Sequence, residues 1–449
     1  LAGFGTPVAI CSVMLIALGF SPVKAAAVAL VSNTAPVAFG AIAIPITTLA
    51  QITGLPQDDL GAMVGRQTPI LAIFVPLALV FIIDGKRGIR QTGVAALVCG
   101  GAFGVAQFVT SNYLSIELTD IVASLVGAGA TVALLRVWSP SERYIESDEA
   151  ELTTVGAGSS SAASVGAAGN PPRAMSAGRP AGGPAAGSEE AEGGRVDDLH
   201  VQDSPMEVLR AYSPYLIIIV VFVVAQIPAI KDALDSVTKL FDWPGLHIQT
   251  PKGDPSTIAA FKFNWLGAAG TLLLISGLLT IPALGISPGK AVRAYVDSCR
   301  QMAFAVLTVM TVLALAYVMN ASGQTATLGL WMAGAGGAFA ILSPILGWLG
   351  VAVTGSDTSS NSLFGALQVT AAKQAGLDPL LMASANSSGG VLGKMISPQN
   401  LAIAAAAVGM AGKEGDLFRK VFGWSVLFIA GMCVLVYLQS TSVLGWMVP

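Results

Sequence analysis

The residues best suited to bind a small anion lie in a polar stretch that follows a long apolar one. Residues 301–356 carry no charged side chain, and the chain then reads Asp357-Thr358-Ser359-Ser360-Asn361. A second polar run occupies residues 386–398. Backbone broken by glycine or proline inside a membrane is tolerated only where protein buries it or where it lines a wet cavity. We therefore predict these ligand-binding residues: Thr358, Ser359, Ser360, Asn361, Asn386, Ser387, Ser388 and Lys394.

A similar pattern occurs near the start of the chain. Three residue types recur there with the same spacing: Asn33, Gly40 and Pro45 match Asn386, Gly393 and Pro398. Thr6 and Thr358 stand at nearly equal distances before the two asparagines. Interrupted helices in corresponding positions of two halves are typical of transporters that bind their substrate between repeats. The pattern predicts an internal repeat, and it adds these candidate binding residues: Thr6, Ser32, Asn33 and Thr34.

The Ser, Thr and Asn side chains of both elements suit a small hydroxylated carboxylate. Their hydroxyls and amides, together with the N-termini of half-helices, can hold a carboxylate without a full positive charge beside it. The alternative is that the Ser and Thr hydroxyls bond back to carbonyls of their own helix, as they often do in membrane helices. The sequence leaves both interpretations open.

Asp357 and Lys394 are the charged residues placed most deeply among apolar neighbours. Ionisable residues inside a membrane are costly and usually functional. We predict that Asp357 carries a coupling proton, because burial disfavours the carboxylate form and the histidines, His200 and His247, lie in polar segments. Lys394 would attract the substrate carboxylate or hold Asp357. The alternatives are a structural ion pair, or snorkelling of Lys394 to water.

Three further charged residues look peripheral. Asp120 and Glu117 are predicted to lie at the membrane interface, and Arg66 to mark the end of a span.

Composition defines the class of protein. The chain is 54% hydrophobic and 11% charged, against roughly 25% charged for soluble domains. This predicts an integral membrane protein that interacts with the lipid bilayer. The net charge of −3 does not indicate nucleic-acid binding. No catalytic constellation, metal-ligand spacing or cofactor motif is present, so we predict neither an enzyme nor a cofactor.

The gaps between charged residues predict about twelve transmembrane or re-entrant helices in an all-α polytopic membrane protein. Predicted elements include residues 8–20, a broken segment over 25–57, a span over 67–83 and a broken segment over 380–412. The loops rich in Lys and Arg would be cytoplasmic, which places the two repeats in inverted orientation. Residues 231–262 would form an outer loop, and residues 288–300 a short helix on the inner surface.

Three regions follow from this pattern. Residues 1–137 would form a first membrane half that lacks an N-terminal portion, and residues 211–449 a second. Between them, residues 138–210 would form a cytoplasmic loop. Its composition, rich in Gly, Ala, Ser and Pro, is typical of disorder.

The chain resembles the L-lactate permease family over most of its apolar part. The resemblance is carried by residues 3–7, 33–45, 355–365, 385–391 and 393–399. It implies import of lactate, and often of glycolate, with protons across a prokaryotic cell membrane. The wider ion-transporter superfamily has inverted repeats with Ser-Asn-Thr elements at the substrate site. The long loop and the absent N-terminal residues depart from the family pattern.

Two competing functions remain open from the sequence. A sodium-coupled carboxylate transporter would have the same architecture. A membrane channel or receptor is the rival from another class, but a channel favours a continuous polar pore lining, whereas polarity here is confined to two broken zones.

Overall fold

The computed structural model describes residues 6–140, 204–249 and 260–449, and α-helices dominate it. The helices of the first half are α1 (Thr6–Ala17), α2 (Pro22–Ser32), α3 (Gly40–Thr53), α4 (Gln57–Ala72), α5 (Val75–Tyr113) and α6 (Thr119–Val137). The described residues from 6 to 140 and from 214 onwards belong to one compact unit. Of the predicted loop, residues 141–203 lie outside the described residues, so its disorder stays a prediction.

The second half begins with α7 (Pro205–Ala225), α8 (Pro228–Ser236) and an antiparallel hairpin. The hairpin pairs β1 (Lys239–Asp242) with β2 (Ala260–Phe263), so that Lys239 lies opposite Phe263. The remaining helices are α9 (Ala269–Leu284), α10 (Pro288–Ala321), α11 (Gln324–Ala333), α12 (Phe339–Thr354), α13 (Asp357–Ala375), α14 (Pro379–Gly393), α15 (Pro398–Ala407) and α16 (Glu414–Gln439). Short 3-10 turns occupy Gly336–Ala338, Lys394–Ile396 and Gly445–Met447.

Many of these helices are suited to a bilayer. In the described residues, five helical segments are long and apolar enough to cross, and a sixth arises if α10 and α11, bent by 75° at their junction, count as one span. Four shorter apolar helices accompany them, and a full crossing needs about 20 residues. The helical membrane class is confirmed. The number of about twelve crossings and the inverted repeats stay predictions.

Several predicted boundaries are wrong, because helices here continue beyond the apolar runs that reveal them. The predicted span over 67–83 is divided between α4 and α5, and the charged segment that follows it is helical within α5, which is interrupted at Gly85 (φ 58°). The predicted surface helix over 288–300 is the beginning of α10. Residues 231–262 include most of α8, the strand β1 and the start of β2, and the hairpin is a small exception to the all-α class; that this segment forms an outer loop stays a prediction.

Glycines let α12 and α14 pack backbone against backbone. A Cβ atom on Gly389 would overlap the carbonyl oxygen of Pro344, and one on Gly393 would overlap that of Trp348. From the facing helix, a Cβ on Gly347 would overlap the carbonyl oxygen of Asn386. Small residues at such spacing allow membrane helices to approach closely. This contact fixes α14 beside the start of α13.

The first half contains a strained break inside α3. Ala41, Ile42 and Ala43 have φ values of 48°, 63° and 56°, in the left-handed region that costs roughly 1–2 kcal/mol for each residue with a Cβ atom. Such strain persists only where surrounding structure holds it in place. Ala43 and Ile46, on either side of Pro45, are fully buried. The break directs the backbone at Pro45 towards α13.

Candidate functional site

Asp357 lies at the first position of α13, directly after the break that ends α12. Gly355 closes α12 with a left-handed backbone (φ 72°), and Ser356 caps α13 by accepting a hydrogen bond from the Ser359 amide. Only 3% of Asp357 is exposed. The sequence prediction that this polar stretch breaks a helix and buries an acid is therefore confirmed.

Five buried side chains form one continuous chain of hydrogen bonds that alternates between α13 and α14. We call these residues the polar chain: Gln368, Asn386, Asn361, Ser387 and Asp357. The Gln368 amide donates to Asn386 Oδ1 at 3.1 Å, and the Asn386 amide donates to Asn361 Oδ1 at 2.9 Å. The Asn361 amide donates to Ser387 Oγ at 3.2 Å, and Ser387 Oγ donates to Asp357 Oδ2 at 2.7 Å.

All donors of the polar chain point the same way, towards the carboxyl group of Asp357. Aligned hydrogen bonds polarise one another in a low dielectric, so the chain favours negative charge at Asp357 Oδ2. The other oxygen, Oδ1, is buried and has no hydrogen-bond partner among the described residues. A Cβ atom on Gly390 would overlap Oδ1, so the glycine leaves the space that this oxygen occupies.

The polar chain is joined to the first half at a single described hydrogen bond. Asn361 Nδ2 donates to the backbone carbonyl of Pro45 at 3.1 Å. Pro45 follows the strained turn of α3, so the two broken elements that the sequence singled out meet here. The contact runs through a backbone carbonyl of α3, and no sequence pattern pointed to it.

The other predicted residues of α13 and α14 surround this chain. Ser360 Oγ donates to the Gly347 carbonyl at 3.2 Å, and Ser359 is buried beside it. Thr358 is half-buried. Ser388 is fully buried, and its hydroxyl has no hydrogen-bond partner in the described part of the chain. Ser388 therefore offers a donor next to the polar chain.

The placement of Asn386, Ser387 and Ser388 on a helix break is wrong. They lie inside the continuous helix α14, and the break comes later, at the 3-10 turn Lys394–Ile396. No half-helix N-terminus lies at these residues; the helix N-terminus at the site is that of α13. The helix α14 stays continuous, because the glycines at positions 389 and 390 are compatible with a helix that packs closely against α12.

The first-half triplet, Ser32, Asn33 and Thr34, is only partly suited to binding a substrate. Ser32 Oγ donates to the Ala29 carbonyl at 3.1 Å, and Thr34 Oγ1 donates to that of Val31, so the interpretation of local back-bonding holds for both. Asn33 ends α2, is half-buried, and makes no side-chain hydrogen bond to the described residues. The structure does not join this triplet to the polar chain. α1 begins at Thr6, whose side chain lies outside the described part.

Lys394 does not bind Asp357 directly. It follows α14 in the 3-10 turn, and the described residues include no ion pair between the two. Its backbone carbonyl accepts hydrogen bonds from Ser397 Oγ at 3.0 Å and Asn400 Nδ2 at 2.9 Å. The charges of Lys394 and Asp357 nevertheless act on each other, so the prediction that Lys394 holds Asp357 or attracts the substrate carboxylate stays a prediction.

Three predicted peripheral residues make more contacts than the sequence suggested. Asp120 Oδ2 is buried without a partner among the described residues, and Asp120 Oδ1 accepts a hydrogen bond from Gln107. Arg66 lies inside α4 and donates to Asn112 Oδ1 and to the Met447 carbonyl, both at 2.8 Å. Glu117 accepts a hydrogen bond from the neighbouring Ser115 and one from Gln57 at the start of α4. Helix packing places the first two inside the bundle, which charge spacing alone does not reveal.

Gln368 is the functional candidate that the sequence reasoning missed. It is fully buried, and besides Asn386 it contacts the Ser343 carbonyl at 3.1 Å. A glutamine among Leu, Val and Ala residues in the middle of a helix was the available signal. The described residues contain no group of three or more His, Cys, Asp or Glu side chains that could hold a metal ion.

Comparison with known proteins identifies the family. The model of the L-lactate permease family matches residues 1–177 and 184–443. The chain belongs to the L-lactate permease family. It is 40% identical to the L-lactate permease of Escherichia coli K12 and 39% identical to that of Bacillus subtilis, covering the whole chain and 76% and 77% of those proteins. It is also 39% identical to the glycolate permease GlcA of E. coli K12, over the whole chain and 76% of that protein.

Membership in the L-lactate permease family confirms the resemblance seen in the sequence. It also confirms that the chain is a transporter rather than an enzyme. The matches are to bacterial permeases, and the apolar helices agree with them. The chain is a multi-pass membrane protein of the bacterial type.

Proposed function

We propose that this chain is a secondary transporter that imports L-lactate, and also glycolate, together with protons across the cell membrane. The substrate class is supported by relatives of nearly equal identity that are named L-lactate permease and glycolate permease. Both compounds are small 2-hydroxy monocarboxylates. The observation that carries the proposal is the polar chain, because it brings uncharged donors and one carboxyl group together in a buried position.

Substrate binding is assigned to hydroxyl and amide groups around the polar chain. A 2-hydroxy carboxylate needs donors for its carboxylate and a partner for its hydroxyl group. The hydroxyl of Ser388 and the amide of Asn33, both unpaired among the described residues, are available donors. Asn361, Asn386 and Ser387 can exchange their present partners for substrate oxygens. Lys394, which follows the polar residues of α14, supplies attraction at longer range.

Proton coupling is assigned to Asp357. A proton on Oδ1, the buried oxygen without a partner in the described part of the chain, would remove the buried charge, while Oδ2 keeps its hydrogen bond from Ser387. A protonated Asp357 would also remove the repulsion between two carboxylates in one site. Binding of the proton and binding of the anion would therefore favour each other, which is the requirement for symport.

Uptake of radiolabelled lactate into proteoliposomes, with proton and sodium gradients imposed separately, tests this assignment. Asp357→Asn should still exchange lactate across the membrane, because asparagine mimics the neutral acid in shape. Its accumulation driven by a pH gradient should fall well below that of the unaltered protein. The matched control is Asp378→Asn, since Asp378 is exposed and caps α14 through the Leu381 amide, a role that asparagine fills equally well.

Two outcomes would contradict parts of the proposal. If Asp357→Asn concentrates lactate as the unaltered protein does, the proton travels elsewhere. If a sodium gradient drives uptake and a pH gradient does not, the chain is the sodium-coupled transporter that the sequence left open.

We further propose that residues 1–137 and 211–449 form inverted repeats and that residues 138–210 face the cytoplasm. The Lys and Arg distribution supports this orientation. Labelling of single cysteines with a membrane-impermeant maleimide tests it. A cysteine at Ser159 should react only after permeabilisation of the cells, and reaction in intact cells would reverse the topology.

A further inference from the structure

We propose that Asp120, with Gln107 on α5, forms a second proton-binding site in the first half, so that two protons accompany each lactate anion. This inference deepens the proposed symport and rests on it. The carboxyl group of Asp120 lies near the start of α6. One of its oxygens, Oδ2, is buried and has no hydrogen-bond partner among the described residues.

A buried polar network surrounds this carboxyl group. Gln107 is fully buried, and its amide nitrogen is shared between Asp120 Oδ1 at 3.4 Å and the Ala35 carbonyl at 3.3 Å. Thr68 Oγ1 donates to Gln107 Oε1 at 3.4 Å. Thr110, one turn after Gln107 on α5, is also buried, and its hydroxyl is unpartnered within the described chain. These long, shared bonds leave the network able to reorganise when Asp120 changes its protonation state.

The network reaches the second half at a small cavity. A cavity of about 10 Å³ is lined by Thr34, Ala35 and Thr68 on one side and by Val391 and Leu392 of α14 on the other. That volume is about the size of one water molecule. Two members of the Asp120 network, Ala35 and Thr68, therefore border on the helix that carries Ser387. A change in the protonation of Asp120 can therefore alter the packing of α14 through these contacts.

The geometry favours a proton over a metal ion. Hard cations such as Ca²⁺ take about 6–8 oxygen ligands, whereas Asp120 presents one unsatisfied oxygen. Its other oxygen faces the amide hydrogens of Gln107, which would repel a cation. One proton removes the charge of the buried carboxylate without any further ligand.

Among the described residues, no ion pair holds Asp120 ionised. α6 packs on α5 and α3, and α3 carries no titratable residue. On α5, Arg90 precedes Gln107 by more than four helical turns, or roughly 25 Å. The other titratable groups of α5, of α6, of the turn between them and of the neighbouring α8 are Asp84, Lys86, Arg87, Cys99, Tyr113, Glu117, Arg136, Lys231, Asp232 and Asp235.

Charge movement tests the stoichiometry. Two protons and one lactate anion carry a net positive charge, so a valinomycin-imposed potassium diffusion potential, negative inside, should drive lactate accumulation at equal pH. Asp120→Asn should lose most of this potential-driven accumulation and keep accumulation driven by a pH gradient. The matched control is Glu117→Gln, which removes a neighbouring carboxylate whose described contacts are with Ser115 and Gln57, and it should keep both.

Retention of potential-driven accumulation in Asp120→Asn would overturn the proposal, as would a wild-type protein that ignores the potential while responding to a pH gradient. The absence of all lactate uptake would instead count against the proposed function. If Asp120→Asn does not insert into the membrane, the response of the unaltered protein to the imposed potential still tests the stoichiometry.

Dicyclohexylcarbodiimide reacts with protonated carboxyl groups in apolar surroundings. Peptide mass spectrometry should therefore find the adduct at Asp120, and its amount should decrease as the pH rises. Absence of this adduct at any pH would overturn the proposal.

Discussion

Replacing Asn361 with alanine tests whether the polar chain stabilises the fold. Asn361 is fully buried and makes three hydrogen bonds: with Asn386, with Ser387 and with the Pro45 carbonyl. The substitution removes the acceptor of the Asn386 amide and the donor to the Pro45 carbonyl. Ser387 keeps its bond to Asp357. The buried Asn386 amide is therefore left without an acceptor, whereas a carbonyl inside a helix, such as that of Pro45, also accepts the backbone N–H four residues later.

The expected loss of stability follows from that amide. Leaving one buried donor without a partner costs about 1–3 kcal/mol, so Asn361→Ala should lower the free energy of unfolding by about 1–3 kcal/mol. Hydrogen bonds between membrane helices average about 0.6 kcal/mol, because partners are replaced in the unfolded state. Asn361 makes three such bonds rather than one. The value should exceed that average.

Unfolding by SDS in mixed micelles, followed by helical circular dichroism, measures this quantity. Asn33→Ala is the matched control, because Asn33 is half-buried and makes no side-chain hydrogen bond in the described part of the chain. It should change the unfolding free energy by less than about 0.5 kcal/mol. Equal losses in the two variants would refute the reasoning, because the bonds of Asn361 would then contribute nothing to the folded state.

Three other outcomes are expected. Gly389→Ala should sharply reduce the yield of monodisperse protein in size-exclusion chromatography, because the added Cβ overlaps a backbone carbonyl of α12. Gly431→Ala is the control and should keep the yield, because its Cβ would meet only a side chain at 3.7 Å. Equal yields from the two variants would contradict the close packing of α12 and α14. Asn386→Ala should weaken lactate binding by about 1.5–3 kcal/mol, or roughly tenfold or more in affinity, as judged by transport kinetics. Ser32→Ala should leave the affinity for lactate nearly unchanged. If Ser32→Ala weakened binding and Asn386→Ala did not, the substrate site would lie at α2. Deleting residues 150–200 should leave uptake nearly intact, because the composition of this segment, rich in Gly, Ala, Ser and Pro, predicts few contacts with the helices; loss of uptake with normal insertion would show that the segment is functional.

The sequence was informative wherever a polar residue interrupts an apolar run. The burial of Asp357 and the break before it could be predicted, because an acid that follows a long uncharged stretch is costly in a membrane and is kept there by a function. The break after Asn386 was also foreseen, but it was placed several residues too early. Ser, Asn and Gly residues predict where a helix is able to break, and α14 stays continuous through them because it packs against α12.

Residues whose role depends on partners from distant helices could not be predicted. Gln368 and Gln107 lie among apolar residues of their helices, and their importance comes from the carboxyl and amide groups that packing brings near. The buried hydrogen bond of Asp120 was missed for the same reason, because Gln107 lies on a different helix; its position at the membrane interface stays a prediction. Arg66, too, was assigned from the sequence around it, whereas its partner Met447 is near the other end of the chain.

The two breaks in the helices differ in a way that bears on transport. In the second half the break before Asp357 is made by a glycine and a serine cap, which adopt their conformations at little cost. In the first half the turn before Pro45 forces three residues with Cβ atoms into left-handed backbone. Packing and the hydrogen bond from Asn361 hold that turn against its strain. A substrate that competes for the Asn361 amide would loosen the strained element, so binding at α13 and α14 has a direct physical route to movement of α3.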